Sequence, residues 1–261
     1  MKPHFLTLLP AVVIMTGATA IGEPVTTWTQ GVTQESGWRD FDKKFDGNDN
    51  DQCWAITAGN LIDWWQEQNA DKLPPATPRG KEVVHSFMQS FTNAGSDPDE
   101  GINWWFTGEY NPGRKDCAKQ KENAPGAFLK SLLPEQTGIK GNLLTAMRGA
   151  QVTAATATTA FIEGAKAGAA FWIGVSYVSP KGRPAMHSLN VWGVAHSTTE
   201  SGIPYVCGIW IADSDDLKYG LTFVPIKEND GMLVFNFPNH PIYGRIPRIV
   251  IDTLTTFRPA Q

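Results

Sequence analysis

The sequence predicts an α+β fold in which a helical half, its central helix opening on a cysteine, packs against an antiparallel sheet. Two observations carry that expectation. The helical patterns all fall before residue 169, whereas from Ala170 onward aliphatic and aromatic runs alternate with turns at Pro180–Pro184, Ser201–Pro204 and Pro238–Pro241; runs of helices followed by runs of strands indicate segregated layers. The 261 residues, 41% hydrophobic and 18% charged, suffice for one large core and do not require two, so residues 21–261 are expected to form a single domain.

The elements follow in order. Residues 1–20 read as a secretory signal, with Lys2 and His4 before the apolar stretch Phe5–Met15 and an Ala18-Thr-Ala20 cleavage pattern. The mature chain is therefore expected to be secreted or periplasmic, and no later run reaches the ~18 apolar residues of a spanning helix. Val25–Gln34 reads as extended. Trp38–Asp46 leads through Gly47-Asn-Asp-Asn-Asp51 into a helix on which Ala55, Ala58, Leu61, Ile62 and Trp65 recur at helical spacing, with Asp51 and Gln52 suited to its first turn. Lys81–Phe91 is a second helical pattern. Asn93–Gly126, rich in Gly, Pro and charge, reads as a long loop whose Trp104, Trp105 and Tyr110 either line a groove or pin the loop to the core. Pro125–Leu133 and Thr158–Lys166 are further helix candidates, and the runs Pro184–Ala195 and Tyr205–Ala212 are strands.

Composition excludes some classes of partner. A net charge of −4 and a pI near 5.7 leave no basic footprint for nucleic acid, and no internal repeat is present. A metal is not expected either. Asp213-Ser-Asp-Asp216 and Asp46-Gly-Asn-Asp-Asn50 begin like calcium loops but lack the Gly and the bidentate Glu those loops require, and zinc spacings are absent. In an oxidising compartment, three cysteines leave one unpaired. Cys117 and Cys207 either bridge or, with Cys207 in a buried strand, stay reduced.

Cys53 starts the central helix, where unpaired N–H groups and the helix dipole favour a thiolate, the attacking species. Of the five histidines, His187 has the matching context: it lies on a strand 134 residues after Cys53, and the next strand ends at Asp213. Acyl transfer needs a nucleophile, a base, a group that orients the base, and donors for the oxyanion. Cys53, His187 and Asp213 fill the first three roles. The Cys53 N–H can serve as one oxyanion donor, with Gln52, Lys43, Lys44 and Gln30 as chemical candidates for the other. His85 and His240 read as structural or surface residues, and His196 as solvated. Alone, Cys53 would read as a buried structural thiol and His187 as a satisfied strand histidine; their conjunction with Asp213 argues for chemistry.

Three blocks carry a family resemblance. Trp28-Thr-Gln-Gly-Val-Thr33, Gly37–Trp65 around the nucleophile, and His187-Ser-Leu-Asn-Val-Trp-Gly193 with Ile211-Ala-Asp-Ser-Asp215 resemble the secreted Mac/IdeS-type immunoglobulin-degrading cysteine endopeptidases. The blocks cover about a quarter of the mature chain. The resemblance implies a papain-like catalytic domain over residues 21–261 and a thiol protease without cofactor. It also implies a protein substrate, immunoglobulin among the candidates, and a role in virulence. By position it makes Cys53 the nucleophile, His187 the base, Asp213 its orienter, Asp215 a supporting acid and Lys43 an oxyanion donor. A cation beside the oxyanion would also lower the thiol pKa. Ala70–Ala169 has no counterpart in the family. The rival readings are an amidase or transglutaminase using the same residues, and a secreted binding module presenting its ten Trp side chains as a contact surface.

Overall fold

The computed structural model describes residues 22–44, 49–133, 139, 143–216, 218–240 and 244–259; the expected signal segment, 1–20, lies outside them. Among the described residues nine strands form one antiparallel sheet: β1 (Val25–Trp28), β2 (Leu144–Arg148), β3 (Ala170–Val178), β4 (Pro184–Thr198), β5 (Pro204–Ala212), β6 (Thr222–Pro225), β7 (Lys227–Asn229), β8 (Met232–His240) and β9 (Gly244–Phe257). The main path, β6-β5-β4-β3-β9-β8-β7, curls into a half-barrel. β4 and β9 are long enough to take extra partners. β1 pairs with β4 at Gly193–His196, and β2 pairs with β9 at Thr253–Phe257. Four α-helices accompany the sheet: α1 (Cys53–Gln68), α2 (Lys81–Ser90), α3 (Pro98–Thr107) and α4 (Ala154–Lys166).

This architecture corrects the expected fold. Strand outweighs helix, 33% to 25%, and the curled sheet is the body of the molecule; no helical half faces a smaller sheet in the papain-like manner. Local chemistry explains the shift. Pro125–Leu133 keeps only the 3-10 turn Lys130–Leu132, whereas the short Leu144–Arg148 run joins the sheet as β2. The supposed loop 93–126 contains α3, which Asp97 caps from its side chain with Pro98 in the first turn and Gly108 closes in the left-handed conformation. Trp104 and Trp105 are fully buried, so they hold the core and line no groove. α4 begins four residues before the expected Thr158, where Thr153 and Thr156 cap one another.

Two apolar clusters flank the sheet. One gathers α1, α2 and α3 around Trp54, Trp64, Trp104, Trp105 and Trp192; the other packs α4 through Ala157, Phe161 and Ile162 against Ile173, Leu189 and Ile251 of the strands. α1 is buried on nearly every side, its polar Thr57, Asn60, Asp63 and Gln66 included. Gly101 brings α3 close to it. A Cβ there would lie 3.0 Å from the Trp54 ring and 3.3 Å from Ala58, so a larger residue would push α3 and its acidic N-terminus outward. No helix among the described residues is long and apolar enough to cross a membrane.

Candidate active site

α1 and β4 are locked in register by polar groups inside the apolar layer. The Thr57 hydroxyl donates to the Ser188 carbonyl at 3.1 Å, the Asn60 amide to Asn190 Oδ1 at 2.8 Å, and the Asn190 amide returns to the Thr57 carbonyl at 3.0 Å. Thr57 is one helical turn past Cys53 and Ser188 follows His187, so these bonds bring the helix start to the histidine. The Trp54 indole, donating to the Ala94 carbonyl at 2.9 Å, fixes the same helix end to the loop before α3. Cys53 and His187 line the same cleft, and each shifts the ionisation of the other.

His187 Nε2 meets Asp213 Oδ1 at 2.7 Å. Asp213 is the first residue after β5, whose Ala212 pairs with Asn190. Its carboxylate accepts from the Asp215 N–H at 2.9 Å and meets His240 Nε2 through Oδ2 at 3.1 Å. Asp215 Oδ1 is paired with Lys43 Nζ at 2.5 Å and lies 3.9 Å from His187 Nε2. The Lys43 ammonium also donates to the Asn50 carbonyl at 3.0 Å, and its backbone N–H donates to the Ser214 carbonyl. His187, Asp213 and Asp215 are close enough together to hold a cation, but the Lys43 ammonium already neutralises Asp215.

Burial opposes ionisation of both members of the central pair, and the neighbouring charges overcome it. Desolvation would raise the Cys53 thiol. The interaction with His187 and the Lys43 charge outweigh it and the repulsion from Asp215, so the thiol sits below its ordinary value. Desolvation would lower His187, but the Asp213 charge and hydrogen bond, together with Cys53 and Asp215, hold it well above. Asp213, despite burial that would raise it, is depressed by His187 and by its bonds to His240 and the Asp215 N–H. Both directions favour a thiolate beside an imidazolium, with the Asp213 carboxylate holding the ring.

The pair opens into a cleft of about 840 Å³ walled by the loop before α3, the start of α3, Asn111–Arg114, Cys117, β2 and Met186. At the far end Arg148 pairs with Asp97 and, at 2.6 Å, with Asp99, which also accepts from the Trp172 indole.

The sequence-derived residues separate into two groups. Cys53, His187, Asp213, Asp215 and Lys43 come together. Gln30 does not, since its side chain reaches Gln68 at the opposite end of α1. Lys44 is exposed and lines a different hollow with Asp49 and His85. Gln52 turns its amide nitrogen to the Thr92 carbonyl at 3.4 Å. His240, read as structural or surface, is buried on Asp213; the Pro-flanked turn around it hid its position at the end of β8. All three cysteines are free. No protein-family model matches the chain, and no curated protein matches it.

Proposed function

We propose that the protein is a cysteine endopeptidase, with Cys53 as nucleophile, His187 as the base that later protonates the leaving amine, and Asp213 as the group that orients His187. The observation that supports this reading is the Asp213-bound His187 and the Cys53 thiol lining one open cleft, with each shifting the ionisation of the other. The thiolate adds to the scissile carbonyl carbon, and the imidazolium gives its proton to the departing nitrogen. The acyl-enzyme is then hydrolysed by a water that His187 deprotonates. The Cys53 N–H, first in its helix and without an intrahelical acceptor, donates to the oxyanion, and the Lys43 ammonium supplies positive charge beside it.

The substrate proposed is an extracellular protein. Immunoglobulin is the target that the resemblance of the Cys53 and His187 blocks implies, and the proposed site of action is outside the cell. The binding-module reading loses its main support because none of the ten Trp side chains is exposed. Incubating the reduced protein with intact immunoglobulins tests the proposal. Discrete fragments formed by the wild type and not by Cys53→Ala are the expected result. Intact chains alongside cleavage of another secreted protein would leave the peptidase and remove the immunoglobulin. Hydroxylamine-dependent amide exchange without chain cleavage would favour an amidase or transglutaminase.

A further inference from the structure

β2 ends the sheet on the cleft side, and its outer edge is open among the described residues. Strand polarity identifies the groups that point there. The Arg258 N–H donates to the Leu143 carbonyl at 2.9 Å, which makes Leu143 and Arg258 a hydrogen-bonded pair. In an antiparallel ladder such pairs recur at every second residue, so Thr145 and Met147 exchange bonds with Thr256 and Leu254. Leu144, Ala146 and Arg148 turn their backbone groups outward. At Leu144 the outward N–H is taken by the Ile139 carbonyl at 3.0 Å, and at Arg148 by the Gln151 side chain at 3.3 Å. Between them lies Ala146, exposed and lining the same cleft as Cys53 and His187.

Building on the peptidase reading above, we propose that the Ala146 N–H and C=O bind an extended segment of the polypeptide substrate as an added strand, remote from the scissile bond. The pairings His187↔Val175↔Ile251 and Ala146↔Thr255↔Trp172 place Ala146 three strands and about three residues away from the histidine. At ~4.8 Å per strand and ~3.3 Å per residue that separation is roughly 17 Å, about five residues of extended peptide. Arg148, the cation at this end, is already paired with Asp97 and Asp99, so backbone rather than a charged side chain is what the edge can recognise. The substrate class is therefore an extended, unpaired stretch reaching at least five residues to one side of the cleaved bond.

The test uses fluorogenic peptides lengthened one residue at a time on either side of a common cleaved bond. For the wild type, kcat/KM should rise about tenfold when the fifth residue on one side is added, the size expected of two net amide hydrogen bonds. N-methylation at that substrate position should abolish the gain. Ala146→Pro removes only the outward N–H and spares the ladder to β9, a change edge strands tolerate, and it should bring the long-to-short ratio near one. If Ala146→Pro fails to fold, the N-methyl series on the wild type still decides. A length-independent kcat/KM, or a gain that survives N-methylation, overturns the added strand while leaving the peptidase standing. Failure to cleave any peptide, together with intact immunoglobulin and other secreted proteins left whole, overturns the peptidase itself.

Discussion

The charge state of Cys53 follows from His187, Lys43 and Asp215 beside it, and the groups that hold these side chains can be tested one by one. With the thiol lowered by His187 and Lys43 against its own burial, iodoacetamide should label Cys53 at pH 6–7, where Cys207, raised mainly by burial, stays slow. Loss of that selectivity is expected in His187→Ala, whose turnover should also fall by about 10² to 10⁴. His240→Ala should cost about tenfold, since it strips one of the two imidazoles that hold the Asp213 carboxylate yet leaves His187 paired. His240→Gln, which can still donate to that carboxylate, should recover most of the loss. Equal turnover of His240→Ala and wild type would show that Asp213 needs only one partner. Lys43→Ala removes the buried cation that pairs with Asp215 and should destabilise the protein by about 3 to 5 kcal/mol. The double variant with Asp215→Asn should restore folding while kcat remains about 10² to 10³ below wild type. Lys44→Ala, at an exposed neighbouring position, is the matched control, and parity between it and the double variant would take Lys43 out of the reaction.

At the scale of elements, the site depends on the polar stitch between α1 and β4. Asn190→Ala removes the acceptor of the Asn60 amide and the donor to the Thr57 carbonyl. Leaving these buried groups unsatisfied should cost about 1 to 3 kcal/mol in denaturant unfolding, with a lower kcat because the helix start drifts from His187. An unchanged unfolding midpoint would mean that apolar packing alone sets the register. The helix at Cys53 was legible in the sequence because its apolar spacing is strong, and Asp213 because a strand run ends there. The sheet's dominance was not. β2 is five residues long and shows no alternation, and it exists because β9 offers it an edge. His240 escaped notice for a similar reason, since it lies 27 residues from Asp213 in sequence and at the end of β8, a strand that does not pair with β5. α3 was hidden by the Gly and Pro around it, although Asp97-Pro98 is itself a helix-start signal.

Across the whole molecule, negative charge is concentrated under one site. Asp40, Asp42, Asp213, Asp215 and Asp216 lie close enough to repel one another, and two of them, Asp213 and Asp215, raise His187. The concentration has a cost that pH exposes. Burial first, and then repulsion from Asp42, Asp216 and Asp213, raises Asp40 to about 8 although its Oδ2 accepts from the Gly220 N–H at 2.7 Å; Asp42, similarly desolvated, rises to about 6. An acid whose folded value exceeds its unfolded one, ~3.9, keeps its proton in the fold after the unfolded chain has released it. Its contribution to stability is therefore complete below about pH 4 and is lost as pH climbs toward 8. Asp213 runs the other way, being depressed, and its contribution disappears only in acid, as pH falls from about 4 through its folded value. Asp40→Asn, which fixes the neutral form, should melt near the wild-type temperature at pH 4.5 and clearly above it at pH 8.5. Thermal melts of both proteins across that range decide the matter: parallel curves would show that Asp40 ionises in the fold as readily as in the unfolded chain, and a wild type that gains stability toward pH 8 would place the controlling acid elsewhere.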